Sequence, residues 1–156
     1  MTCRAKLIVG LIAFSIAACA YADGAAFENH HCYAGQPQTL KHSDGNAANI
    51  AMIYGATRAT SSGQIFDNMS TQCAALFGQM QGTIFLQGLC EWTDSGGDRI
   101  FLRLERQGTA GTFRSVSGTG KYQDVSVEGT YEVLAYPQRA GVLQGCARNN
   151  GRWERR

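Results

Sequence analysis

Alternation of apolar and polar residues is the feature of this chain that most constrains its fold. In the segment 125–133, VSVEGTYEV, the odd positions are mostly apolar and the even positions mostly polar. The segment 99–106, RIFLRLER, likewise places Ile100, Leu102 and Leu104 on one face. A period of two residues is typical of a strand that buries one face and exposes the other, as strands of antiparallel sheets do.

Several short segments along the chain have strand character, and helical periodicity is nearly absent. The predicted strands are 49–57, 64–67, 72–80, 82–93, 99–106, 112–117, 125–133 and 142–146. Glycine-rich turns separate them, at 94–98, 107–111 and 118–122. A sheet of hairpins that closes on itself leaves no exposed edge strand. The sequence therefore predicts an all-β fold, a single antiparallel barrel of about eight strands that is closed or nearly closed, with a β-sandwich as the alternative.

The N-terminus has the layout of a secretory signal peptide. Arg4 and Lys6 precede a run of about a dozen apolar residues. This run is shorter than the roughly 20 residues that a membrane-spanning helix needs, so we predict no transmembrane segment.

Two cleavage sites compete at the end of this run. Cleavage after Ala22 predicts a signal peptide at 1–22 and a single β-barrel domain at 23–156. The alternative is a bacterial lipoprotein signal at 1–18 with a lipid on Cys19. The predicted location is periplasmic or secreted in the first case and lipid-anchored through Cys19 in the second.

Removal of the signal also changes the charge balance. The whole chain has 14 Lys and Arg against 12 Asp and Glu, and the signal carries two of the basic residues and no acidic one. A nearly neutral domain lacks the field that attracts a phosphate backbone, so we predict no nucleic-acid partner.

The basic C-terminal residues are expected to form a frayed, solvated tail. They are Arg148, Arg152, Arg155 and Arg156.

Four cysteines remain once Cys3 and Cys19 are assigned to the signal. An even number in an exported chain predicts two disulfides, and four cysteines allow three pairings. We favour Cys73 with Cys90, which would join adjacent strands, and Cys32 with Cys146, which would tie the two ends of the domain.

Motifs for metal or catalytic chemistry are weak. His30, His31 and Cys32 are adjacent, but zinc sites use ligand pairs such as C-x₂-C, which this chain lacks. We place both histidines in a solvated N-terminal segment. The carboxylates of 94–98 suggest calcium, but a Gly-Gly turn explains the same residues. The third histidine, His42, also lies near the N-terminus, and no motif pairs a nucleophile with a base. We therefore predict no metal and no cofactor, and we favour a protein that is not an enzyme.

The segment 88–100, GLCEWTDSGGDRI, carries a resemblance to a known group of proteins, as do 118–122, GTGKY, and 129–131, GTY. Together they resemble small exported proteobacterial proteins, without an agreed function, of the allene oxide cyclase-like or dirigent-like β-barrel group. The resemblance covers roughly 82–136. It implies an eight-stranded antiparallel barrel with an apolar interior and carries no catalytic residue over to this chain.

Aromatic residues are the strongest positive indication of function. In small barrels such residues either fill the lumen or line a ligand pocket. Core filling is the simpler interpretation of these residues. The first functional hypothesis is a lumen that binds a small apolar or amphipathic ligand, with Tyr54, Trp92 and Tyr131 as candidate binding residues. The first alternative is an envelope or secreted scaffold that binds a protein partner. The second is a cyclase or isomerase, which would need a polar group inside the barrel.

Overall fold

The structure is a computed structural model that describes residues 24–41, 46–137 and 139–156. The predicted signal peptide, Cys19 and His42 lie outside the described residues. A 3₁₀ turn, Gly120–Tyr122, lies before the seventh strand. The strands are β1 (Gly24–Lys41), β2 (Ala47–Ala59), β3 (Ser70–Met80), β4 (Thr83–Thr93), β5 (Arg99–Gln107), β6 (Ala110–Gly118), β7 (Val125–Val133) and β8 (Leu143–Arg155).

The eight strands form one closed antiparallel barrel. Each strand pairs with its neighbours in chain order, and β1 pairs with β8 from Gly24 opposite Glu154 to Gly35 opposite Leu143. The predicted fold class is therefore confirmed for the described residues. None of these residues belongs to a helix long and apolar enough to cross a membrane.

Three local predictions were wrong. The segment 64–67 is a loop, and its apolar pair Ile65-Phe66 packs against the barrel core instead of forming a strand. The first strand, β1, was missed, because its inward positions include the buried polar residues Asn29 and His31 and so hide the alternation. The basic C-terminus is not a frayed tail, since β8 continues to Arg155.

The barrel has two unlike ends. The plugged end holds the loop 60–69, the turn 94–98 and the connection 119–124, together with both termini of the described chain. The open end holds the tight turns between β3 and β4 and between β5 and β6. At the first of these turns, Gln81 and Gly82 both have positive φ, at 50° and 77°. That conformation is typical of two-residue hairpin turns.

The core lies at the plugged end. Phe66, which is 1% exposed, packs its ring against Phe27 at 4.8 Å, Trp92 at 5.9 Å and Tyr122 at 5.9 Å between ring centroids. Phe113 extends this cluster toward the middle of the barrel, 6.5 Å from Trp92. Burying a large aromatic side chain contributes about 1.5–3 kcal/mol by area alone, so this cluster is a main source of stability.

Buried polar side chains fasten the loop 60–69 to the barrel wall. Thr57 donates its hydroxyl proton to the Phe66 carbonyl at 2.7 Å and accepts the Met69 backbone N–H at 3.1 Å. Asn29 donates to the same Phe66 carbonyl at 3.3 Å and accepts from Asn149 at 2.8 Å. A buried polar group is stable only when it is hydrogen-bonded, and here these bonds also hold the Phe66 plug in place.

Candidate ligand cavity in the barrel lumen

The lumen contains a cavity of about 450 Å³ between the aromatic cluster and the open end. Its volume falls within the range of small-molecule pockets in proteins. The cavity exists because several inward positions in its wall carry small residues. The inward positions at the plugged end carry large side chains instead. The small residues of the wall are Ala75, Gly88, Gly145 and Ala147.

The floor of the cavity is aromatic and the walls are mostly apolar. Trp92 and Phe113 form the floor and separate the cavity from the Phe66 plug. The walls continue upward through aliphatic and aromatic residues of five strands. They include Ile53, Phe77, Leu86, Leu102, Leu104 and Leu143. Such a surface suits the apolar body of a ligand.

Two tyrosines and one arginine add polar groups to this wall. Burial raises the pKa of Tyr131 to about 12, and the nearby Arg106 guanidinium opposes that shift. Burial also raises the pKa of Tyr33, and Arg106 again acts against the change. Both phenols therefore stay protonated at neutral pH and can donate a hydrogen bond.

Two buried donors in the cavity wall lack a partner among the described residues. They are the indole Nε1 of Trp92 and the hydroxyl of Tyr131. Leaving a buried donor unsatisfied costs about 1–3 kcal/mol, so each such group calls for an explanation. Both residues contribute to the wall of the cavity.

His31 is a buried histidine in the wall of the cavity. It is 6% exposed, and its Nε2 forms a hydrogen bond with Thr71 Oγ1 at 2.8 Å. Burial lowers its pKa from 6.5 to about 4, so the imidazole is neutral at physiological pH. A neutral imidazole donates a hydrogen bond from one ring nitrogen and accepts one at the other. The expectation that His31 lies in a solvated segment was wrong, because its position in β1 points it inward.

The structure separates the three predicted ligand-binding residues. Trp92 and Tyr131 lie in the cavity wall. Tyr54 lies on the outer face of β2, 56% exposed and away from the cavity, so its placement in the lumen was wrong. The sequence analysis also missed the inward positions of Tyr33 and Arg106. For Arg106 the alternation of β5, with Ile100, Leu102 and Leu104 inward, already contained that signal.

Both favoured disulfide pairs are present, and they lie on opposite faces of the wall. Cys73 and Cys90 are directly opposite each other on β3 and β4, and both are buried in the cavity wall. Cys32 and Cys146 are opposite each other on β1 and β8, on the outer face where the barrel closes. One bridge thus lines the lumen and the other joins the first strand to the last.

Candidate metal positions have structural roles instead. Asp94 accepts hydrogen bonds from the backbone N–H groups of Gly96 at 2.8 Å and Asp98 at 3.1 Å, as a tight turn requires. Its pKa is lowered mainly by a hydrogen bond from Lys121, with which it forms an ion pair. Residues 24–41, 46–137 and 139–156 contain no cluster of three or more His, Cys, Asp or Glu side chains fit to hold a metal ion.

The outer face of β2, β3 and β4 has an apolar patch, and its charged residues Arg58 and Glu91 lie toward the plugged end. Ile50, Leu76 and Leu89 are exposed there, and Leu89 is 58% exposed. Ile50 lies directly opposite Leu76 in the sheet. On the other half of the barrel, exposed ion pairs join Arg103 to Glu105 and Arg148 to Glu132.

Fold and cavity together define a small closed β-barrel with an internal pocket that opens at one end. No protein-family model matches the chain, and no curated protein sequence matches it significantly. Solved structures similar to it include two dirigent proteins. The pterocarpan synthase dirigent protein PsPTS1 has 10% identity and a TM-score of 0.46, over 82% of this chain and 95% of that chain. The pterocarpan synthase dirigent protein GePTS1 has 7% identity and a TM-score of 0.49, over 87% and 94%. Likeness at this level adds nothing to the assignment of a function.

Proposed function

We propose that this barrel binds a small apolar or amphipathic ligand in its lumen. The observation that carries this proposal is the 450 Å³ cavity, which lies in a barrel whose other end is filled with aromatic rings. Protein interiors are normally packed as densely as organic crystals, so a volume of this size with apolar walls calls for an occupant. The unpartnered donors of Trp92 and Tyr131 belong to residues of the cavity wall and support this proposal.

Two neighbouring alanines of β3 allow a matched test of lumen binding. Ala75 faces the cavity and Ala74 faces outward. We expect the neutral dye Nile red to bind the wild type and Ala74→Leu alike and to lose at least tenfold in affinity for Ala75→Leu, because the leucine fills the binding volume. Equal binding by all three proteins would place the dye outside the lumen and contradict the proposal.

Export from the cytoplasm is the second part of the proposal. Two disulfides support it, because such bonds form and persist in oxidising compartments. Alkylation of protein recovered from its native compartment should find no free thiol among Cys32, Cys73, Cys90 and Cys146. Intact mass would distinguish an N-terminus at Asp23 from a lipid on Cys19. Four alkylated thiols would exclude an exported, oxidised protein.

Self-association is a second candidate function, favoured by the apolar patch on the outer face of β2 to β4. Its occupant would be a second copy of the chain, since the apolar patch of Ile50, Leu76 and Leu89 can meet itself across a two-fold axis. Sedimentation velocity should then show a dimer in the wild type and a monomer in Leu76→Lys. Val116→Lys is the control, because Val116 is exposed on β6, outside this face. A monomer at all wild-type concentrations would refute this candidate.

A further inference from the structure

We propose that the ligand of the lumen is an amphipathic carboxylate, whose head group binds Arg106 with Tyr131 and whose apolar chain extends toward Trp92 and Phe113. This inference rests on the proposed lumen function and specifies the class of ligand. It depends on three features of the cavity: its charge, its donors and its shape.

The wall of the cavity carries positive charge and no negative charge among the described residues. Arg106 is the one charged side chain among the described residues of the cavity wall, and no carboxylate lines it. Among the described residues no ion pair involves Arg106, although Arg99, Arg103 and Arg148 each have an acidic partner. A half-buried guanidinium without a counter-charge in an apolar cavity favours an anionic ligand.

The Arg106 side chain is held in position by its own turn. Its Nε donates to the Gly108 carbonyl at 2.9 Å, which fixes the guanidinium near the end of β5. Arginine binds carboxylates through pairs of parallel N–H donors, and such charge-assisted bonds are about twice as strong as neutral ones. The arrangement therefore suits a planar carboxylate at the open end of the cavity.

Tyr131 supplies a second, rigid donor to the same region. Tyr131 is 7% exposed, and its hydroxyl has no partner among the described residues. The positive charge of Arg106 acts to lower the pKa of this hydroxyl. The ring of Tyr131 lies directly on Gly111 of β6, so that any larger residue there would displace it. Tyr33, whose pKa also responds to Arg106, lies on the facing wall.

The cavity has a polar region near the open end and an apolar region below it. Arg106 lies close to the open end, while Leu104 and Leu102 follow it downward on the inner face of β5. Four residues of strand, from Arg106 to Leu102, span roughly 13 Å. The wall over this distance is apolar and ends on the aromatic floor. A ligand with a polar head and a chain of medium length matches both regions.

Displacement of Nile red by three probes with the same chain tests this assignment. The probes are decanoate, decanol and decyltrimethylammonium, and each is titrated into wild type, Arg106→Gln and Arg114→Gln. Arg114 is the control because it is an exposed arginine on the outer face of β6.

We expect the wild type to prefer decanoate over both other probes. That preference should fall about tenfold to hundredfold in Arg106→Gln and stay unchanged in Arg114→Gln, because one charge-assisted interaction is lost. Tyr131→Phe should reduce decanoate affinity several-fold and leave decanol affinity intact.

The outcomes distinguish this inference from the proposed function. If decanol binds as well as decanoate, or if Arg106→Gln keeps the preference while its circular dichroism matches wild type, the carboxylate assignment is overturned and lumen binding survives. If neither Nile red nor any probe binds the wild type, both the ligand class and the lumen function are overturned.

Discussion

The two ends of the barrel are built from the same strands but differ in what those strands turn inward. At the plugged end the inward positions carry Ile100, Val125 and Val127, and the loop residue Phe66 fills the remaining space. Toward the open end some inward positions carry small residues, such as Gly88 and Gly145, and a cavity remains. The backbone geometry sets which residues face inward, and side-chain volume then decides whether the interior is core or pocket.

The largest effect should come from a pair of matched truncations, one at each end. Phe66→Ala removes a fully buried ring and should lower the free energy of unfolding by about 3–5 kcal/mol. Phe77→Ala, in the wall of the open end, should cost less than half of that, because its ring is only partly buried. Urea denaturation of both variants measures the difference. Equal losses would show that the two ends are packed alike.

A pH effect of similar size should come from His31. Because its folded-state pKa, about 4, is below the ordinary 6.5, the unfolded chain binds more protons between these values. Stability is therefore complete above about pH 6.5 and falls as the pH drops toward 4, by about 3 kcal/mol from this group.

Replacement of His31 isolates that contribution from the acidic groups of the protein. The unfolding free energy of His31→Gln should lose about 3 kcal/mol less than wild type between pH 7 and pH 4. His30→Gln, on the outer face of the same strand, should follow the wild-type curve. Parallel curves for all three proteins would mean that the imidazole of His31 is solvated.

The smallest effects on stability should come from substitutions that enlarge an inward side chain. Ala75→Leu places a side chain into the cavity and should change stability by less than about 1 kcal/mol. Val127→Leu adds one methylene to the packed end, where Val127 is 2% exposed, and should cost about 1–3 kcal/mol. Thermal unfolding compares the two variants. A larger loss for Ala75→Leu would mean that the cavity wall cannot accept a ligand-sized group.

Alternation predicted most of the barrel because β3 to β7 each bury one face and expose the other. It failed for β1, where Asn29 and His31 replace apolar residues inside the barrel. Asn29 is hydrogen-bonded to Asn149 and to the loop 60–69, and His31 is hydrogen-bonded to Thr71 of β3. Partners of that kind are set by tertiary pairing, which no local pattern reports. The eight predicted strands thus counted one loop, 64–67, in place of β1.

The candidate site was predictable to a similar extent. Trp92 and Tyr131 lie where the alternation of β4 and β7 puts them. Tyr54 was assigned to the wrong face because Ile50 and Met52 make the outer face of β2 as apolar as its inner face. A strand with two apolar faces gives no periodic signal of orientation. Arg106 was missed because a charged residue at an inward position is read as a surface residue.

The bridge between Cys32 and Cys146 makes the strands between them into a covalent ring. Since these residues are 114 apart in sequence, almost the whole wall lies inside that loop. The β1–β8 seam, where an antiparallel barrel could otherwise unzip into an open sheet, is locked while the bond is oxidised. A ligand of the class proposed above would then exchange through the mouth at the open end. Reduction would free the seam as a second route, so the residence time of the ligand should shorten when this one bond is cut.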